Sequence, residues 1–504
     1  MTAFVNRFAF AATLAIIAAA PVAAQECDPL SNTRGNIGVA YVELSKAIQL
    51  SETGNPTREL LSVLKLAETG ADNPLARNYL KGQAYVLLLM RPNSPAVMTR
   101  GELGLSNPTV SVDLYAAADS AFTAIETASP NCVAVTKQWR QQKPWLNMLN
   151  ASIAALNAGQ LDSAEIFAKR SLVLDRSAPY AYSVLGSITQ QRMAAPNTDA
   201  ATRATLFRTA TEYWQQTLTA AGTDTTYEDV RSKTLYELAN AASLRAEQET
   251  GAAKRAAARE AIKPWMDYMA TATDDLPVAN AVDHAAAMYI AAGDSASVPK
   301  VYAPMLATPS RYGENTLVHA GVVATHNARF ADATALFNAA LTQNPYSRDA
   351  INNLAASYIQ TNEFTKAMPL IDRLVALDPS NPDNPLLYAF AYQGLYKGTK
   401  DKKLQKTYTD SLIYFNNLSE NAPVKVAVTE FSRRPAETIF SGNIKNLSKA
   451  SKTYALAVEF LDKSGNVVGT ETASVGPVAA NATQNFRITF AKGGVYGYRY
   501  KPVK

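Results

Sequence analysis

Cysteine is almost missing from this chain, with two residues in 504, Cys27 and Cys132, and no Cys-X-X-Cys spacing. That excludes a cysteine-rich zinc site and a dithiol redox centre. Histidine occurs three times, as His284, His319 and His326. Asp283 beside them does not complete a four-ligand zinc shell, so no metal is expected. The zincin pattern, the phosphate-binding loop and the nucleophile elbow are all missing, which removes the commonest hydrolytic and nucleotide-using classes. Ser62-Val63-Leu64-Lys65 matches the first motif of penicillin-recognising enzymes, but no Lys-Thr-Gly partner follows and the four residues sit in an ordinary amphipathic stretch. The sequence calls for no cofactor, and its carboxylates are scattered; a non-catalytic chain is expected. Beyond the first two dozen residues there is no apolar run near the roughly 20 residues that span a bilayer, so an integral membrane protein is not expected.

What is present begins with Met1 to Ala24: one basic residue, Arg7, an apolar stretch from Phe8 to Ala20, and a small-residue end at Val22-Ala23-Ala24. This is the pattern of a cleaved secretory signal peptide, which directs the chain to a periplasmic or secreted location and away from nucleic acid. In an oxidising compartment Cys27 and Cys132 would pair, closing a loop of about 100 residues and contributing up to ~4.7 kcal/mol in the chain-entropy model. Two free thiols are the alternative.

Charge is unevenly spread. Residues 423–504 hold 12 Lys or Arg against 5 Asp or Glu, a net of +7 in a chain whose total is +5. The body between Gln25 and Ala422 is therefore mildly acidic, at about −3 once Arg7 is set aside.

The body repeats. Ile351, Leu354, Ala355 and Tyr358 fall on one face of a first helix and Ala367, Ile371 and Leu374 on one face of a second, before Pro379. Thirty-four residues earlier the same grid reads Leu317, Ala320, Gly321 and Ala324, then Ala333, Phe337, Ala340 and Pro345. Another 35 back it reads Val282, Ala285, Ala286 and Tyr289, then Val298, Tyr302 and Met305; 34 forward it reads Tyr388, Ala389 and Tyr392. Weaker units pair Gly82 and Tyr85 with Ala118 and Phe122, and Leu185-Gly186 with Ala210 and Trp214, around insertions near residues 91–108 and 194–201. A sustained period of 34 or 35 marks a stacked repeat.

This grid resembles the tetratricopeptide repeat. The resemblance implies a mainly α fold over 25–421, with its best repeats at 280–420: helical hairpins stacked into a right-handed solenoid whose inner surface comes from the first helix of each unit. Carried over by position, the implied groove lining includes Asn280, Asp283 and His284, then Asn315, His319 and His326, then Asp349, Asn352, Asn353 and Gln360. Side-chain amides both donate and accept, as a groove reading an extended protein or peptide partner requires. The other reading of these residues is the solvated face of amphipathic helices. No Lys or Arg stands among them, so an acidic C-terminus is a poor ligand.

From 423 to 504 the period changes to alternation: Val424, Val426, Val428; Phe440, Gly442, Ile444; Tyr454, Leu456, Val458, Phe460; Phe486, Ile488, Phe490. Six or seven strands in some 80 residues predict a small antiparallel β-sandwich, similar to immunoglobulin-like domains appended to exported proteins. Its lysines, its arginines and the row Tyr496, Tyr498, Tyr500 suggest a second function class, a module binding an anionic cell-envelope polymer or membrane surface. The alternative is that the tyrosines close the sandwich core and the lysines keep its edges soluble.

Overall fold

The computed structural model describes residues 27–70 and 73–503; the signal-peptide reading of Met1 to Ala24 lies outside them. The chain divides into two compact units at Ala241/Ala242. In the first, α1 (Gly35–Thr53) pairs with α2 (Thr57–Thr69), and α3 (Pro74–Leu89) pairs with α4 (Leu114–Ala128) across an insertion. That insertion is not a bare loop, since β1 (Val97–Thr99) and β2 (Ser111–Asp113) form a short antiparallel pair within it. After α5 (Val133–Arg140) come the hairpins α6 (Lys143–Asn157) with α7 (Leu161–Leu174) and α8 (Tyr180–Met193) with α9 (Ala200–Ala221). Cys27 and Cys132 are joined in a disulfide with their Cα atoms 5.1 Å apart, an ordinary separation for such a bond. Helix α10 (Glu228–Gln248) runs across the division.

The second unit continues with α11 (Gly251–Thr271), α12 (Asp275–Ala291), α13 (Pro299–Ala307), α14 (Glu314–His326), α15 (Phe330–Gln343), α16 (Arg348–Gln360), α17 (Phe364–Leu377), α18 (Asp383–Gly398) and α19 (Lys402–Glu420). Among the described residues no helix is long and apolar enough to cross a membrane.

One packing device recurs in both units: a glycine on the first helix against a ring on the second. A Cβ at Gly82 would overlap the Phe122 ring, one at Gly186 the Trp214 ring and one at Gly321 the Phe337 ring. All three rings are fully buried, each contributing roughly 1.5–3 kcal/mol by its removal from water. The two Lys-Pro-Trp triplets are also core features. Pro144 sits in the first turn of α6 and Pro264 inside α11, and both Trp145 and Trp265 are buried. Second helices end where a proline follows. Asn344 before Pro345 and Asp378 before Pro379 have left helical geometry, with φ of −138° and −132°, as expected for residues crowded by a following proline ring.

Beyond α19 two three-stranded antiparallel sheets face each other. One is ordered β3 (Val424–Arg433), β4 (Thr438–Asn446), β7 (Thr483–Phe490); the other β6 (Val467–Val478), β5 (Lys452–Leu461), β8 (Gly497–Tyr500). The inward residues of the alternating pattern, among them Phe440, Ile444, Leu456, Val458, Phe460 and Ile488, form the core. At the β5–β6 turn the Asp462 carboxylate accepts from the amides of Ser464 and Asn466, and Gly465 takes a φ of +89°. The fold is thus tetratricopeptide-like helical hairpins followed by a small β-sandwich.

The sandwich shares a compact unit with the last repeats because polar contacts tie the two together. Asn344 and Asp378, equivalent positions one repeat apart, both reach it. Asn344 Nδ2 donates to the Tyr496 carbonyl at 2.8 Å, and the Tyr500 hydroxyl donates to Asp378. The Asp378 carboxylate, 1% exposed, also takes Arg348 Nε at 2.7 Å. Val426 N donates to the Ser380 carbonyl at 2.9 Å and Val503 N to Ser380 Oγ at 2.8 Å; Arg433 pairs with Glu314 at 2.7 Å. Burial works against the Arg348 charge, but the Asp378 carboxylate outweighs it and holds the guanidinium protonated more firmly than usual. Burial, then the same carboxylate, raises the Tyr500 hydroxyl well above the ordinary tyrosine value.

Candidate functional site

The first helices α12, α14 and α16 carry the ten residues expected to line a groove, and the structure divides them into three groups. Two are taken up by packing. Helix α14 starts after Gly313, which has no side chain with which to cap it, and the carboxylate of Asp275, at the start of α12, does so instead. Its Oδ2 accepts from Asn315 N at 2.9 Å and its Oδ1 from Thr316 N at 2.8 Å. The Asn315 side-chain amide donates to the same carboxylate at 2.8 Å, so its role is to fix the helix start. The His284 ring stacks on Trp265 of α11, centroids 4.9 Å apart and planes 7° from parallel.

A second group forms local polar pairs on the helix faces. Asp283 Oδ2 lies 2.6 Å from His319 Nδ1. That hydrogen bond, opposed by partial burial, raises the imidazole pKa above its usual value, and the charges of Asp283, Asp275 and Asp349 act in the same direction. Asp349 is exposed and 3.3 Å from the Arg348 guanidinium. Asn352 Nδ2 donates to Asn353 Oδ1 at 3.3 Å, and Asn280 is exposed. The two equivalent histidines are therefore held apart by different partners, His284 by an indole and His319 by a carboxylate.

The third group lines a cleft of about 310 Å³ bounded by α14, α15 and α16. His326, Asn353 and Gln360 contribute to it together with Thr325, and His326 and Gln360 are exposed at its mouth. Val322, Phe330, Phe337 and Ala356 supply apolar walls. Phe337 is fully buried and Ser357 is 2% exposed, which places these two at the base. The glycine-and-ring contact of Gly321 with Phe337 lets the ring sit this deep. Ser357 was not singled out by sequence reasoning. The signal for it is slight: it is a hydroxyl where the preceding repeat has Val323 on the same grid position.

The tyrosine row of the sandwich is no open platform. Tyr498 and Tyr500 are each 4% exposed, packed in the core and against Asp378, and Arg433 is engaged by Glu314. In the first unit a surface depression at the α6–α7 turn includes Arg192, held by Asp162 at 2.6 Å and Glu165 at 2.5 Å.

Among curated proteins no match is found for this chain. Among solved structures it is similar to pilF from Pseudomonas aeruginosa (14% identity, 54% of this chain and 88% of that one, TM-score 0.23). It is also similar to YrrB, described as a TPR protein with an unusual peptide-binding site (15%, 51% and 92%, TM-score 0.23). A third is a tetratricopeptide repeat protein from Parabacteroides merdae (13%, 55% and 99%, TM-score 0.27). Residues 324–392 match the tetratricopeptide repeat family model, and all the cleft residues except Val322 lie inside that segment.

Proposed function

We propose that this chain is a non-catalytic, exported interaction scaffold that holds a protein or peptide partner in the groove formed by α12, α14 and α16, with the α14–α16 cleft as its anchoring point. The observation that carries this reading is the cleft itself. It combines apolar walls with amide and imidazole groups at its mouth, and it lies in the segment that matches the tetratricopeptide repeat. A concave site with a few polar groups around an apolar interior is the usual form of a recognition site. Export is supported by the pattern of Met1 to Ala24 and by the Cys27–Cys132 disulfide, which suits an oxidising compartment. The envelope-binding reading of the sandwich loses support, since two of its three tyrosines are buried and its four arginines are each paired with a carboxylate of this chain.

The test is capture of partners by the full chain and by a variant carrying His319→Ala, His326→Ala, Asn353→Ala and Gln360→Ala. These are exposed or half-buried positions that cost within about 0.5 kcal/mol each. Capture should fall while thermal stability holds; equal capture by a stable variant would remove the groove from the account.

A further inference from the structure

The last helix of the array ends without a polar cap. Leu336 on α15 and Leu370 on α17 stand 34 residues apart at one grid position and are 0% and 9% exposed. Each lies on a second helix that packs against the first helix of the next repeat, α16 and α18 respectively. The following member of the row is Leu404 on α19, where a β-strand and not a further repeat comes next, and it is 42% exposed. Ser411 and Leu418, at seven-residue steps from Leu404, continue the same stripe, and Tyr414 flanks it. With the sandwich in place Leu418 is still 50% and Tyr414 61% exposed. On its other side α19 lays Phe415 on Tyr388 of α18, ring centroids 4.4 Å apart, and not one residue of α19 is fully buried. Terminal units of a repeat array usually turn a polar face outward, so an apolar one here marks a contact surface.

The order of residues along the stripe selects what covers it. The face stands where α15 and α17 receive a neighbouring helix, so its counterpart is a helix. Leu404 lies seven residues before Ser411 and Leu418 seven after it. Turned end for end, the stripe therefore meets a copy of itself leucine against leucine, with the small Ser411 at the centre where the two backbones come closest. Charge is arranged in the same sense. Residues 402–409 hold Lys402, Lys403 and Lys406 and no carboxylate, whereas residues 410–420 hold Asp410 and Glu420 and neither lysine nor arginine. An antiparallel pair sets the lysine-bearing half of each copy beside the carboxylate-bearing half of the other and aligns the two helix dipoles favourably. A parallel pair would set like charges together. The helix that complements α19 in both respects is α19 of a second copy.

We propose that this chain forms a twofold-symmetric dimer through antiparallel α19 helices, with Ser411 on the axis. One helix from each copy makes a small contact, below the roughly 1,200 Å² of stable complexes, so the dimer is reversible, with a dissociation constant on the order of micromolar. It is independent of the groove reading.

Sedimentation velocity of the full chain, over a series from about 1 to 100 μM, should show monomer passing into dimer. Leu404→Glu combined with Leu418→Glu should leave a monomer throughout, with thermal unfolding unchanged because both positions are exposed. Cysteine cross-linking tests the axis without relying on that variant. The native cysteines are joined to each other, so an added thiol is the free one. Ser411→Cys should give a disulfide-linked dimer on mild oxidation. Ile413→Cys should not, although Ile413 is 50% exposed, since two residues turn the helix by about 200°. A parent chain that stays monomeric, which would leave α19 to the helix of another protein, overturns the dimer. So does a dimer that survives the double glutamate variant, or cross-linking as efficient from position 413 as from 411.

Discussion

Replacing Asp378 with alanine tests the junction between the repeats and the sandwich. The carboxylate is 1% exposed and accepts from Arg348 Nε at 2.7 Å, from Asn381 Nδ2 at 3.1 Å and from the Tyr500 hydroxyl. Without it the guanidinium of Arg348, itself 24% exposed, keeps among the described residues only the carboxylate of Asp349 at 3.3 Å. Removing one partner of a buried ion pair costs about 3–5 kcal/mol. The Tyr500 hydroxyl, stranded in a residue 4% exposed, adds a penalty of about 1–3 kcal/mol. These two losses share one network and do not add in full. The expected total is about 4 kcal/mol, and Tyr500→Phe alone should cost about 1.5–3 kcal/mol, the worth of a hydrogen bond to a charged acceptor. Urea unfolding of the full chain followed by far-ultraviolet circular dichroism measures the change. Limited proteolysis between α19 and β3 should report the loosened sandwich as faster cleavage at 421–423. An Asp378→Ala variant within about 1 kcal/mol of the parent, cleaved at the parent's rate, would refute the claim that this carboxylate holds the junction.

The disulfide and the histidine pair give further tests. Replacing Cys27 and Cys132 together with alanine should destabilise the first unit by about 2–5 kcal/mol, as loss of a long-loop disulfide does; urea unfolding followed by fluorescence of Trp139, Trp145 and Trp214 reads this out. Peptide mapping without reduction should recover the linked Cys27 and Cys132 peptides, and two alkylatable thiols in native protein would contradict the pairing. Because Asp283 raises the folded-state pKa of His319, the pair's contribution is complete below about pH 6.5, the unfolded value, while Asp283 stays ionised. It is lost as pH rises through the raised folded value. Both side chains are partly exposed, so the effect on stability should stay within about 1 kcal/mol. A nuclear magnetic resonance titration should show His319 above its ordinary pKa and returned toward it by Asp283→Asn.

The packing of the repeats was readable in the sequence because it is periodic. Gly321 and Phe337 stand on the regular grid, Gly82 with Phe122 and Gly186 with Trp214 are the same two grid positions pushed further apart by insertions, and each pair meets in the structure. The sandwich strands were readable for the same reason, since alternation at Tyr454, Leu456, Val458 and Phe460 separates inward from outward faces. What was not readable depends on contacts with no local pattern. The Asp378–Tyr500 bond spans 122 residues, and Asp275 caps a helix that starts 39 residues later with no capping residue of its own. Groove position alone therefore did not separate Asn315, which builds the helix start, from Asn353, which lines the cleft. Nor did it separate His284, stacked on Trp265, from His319, paired with Asp283.

A photoreactive residue placed at Gln360, at the cleft mouth, or at Asn338, exposed on the second helix of the preceding hairpin, tests the scaffold reading most directly. Irradiated in an extract of the source cells, the Gln360 protein should yield a covalent adduct with a partner chain and the Asn338 protein should not. An adduct formed equally from both positions, or from Asn338 alone, would contradict recognition through the α14–α16 cleft.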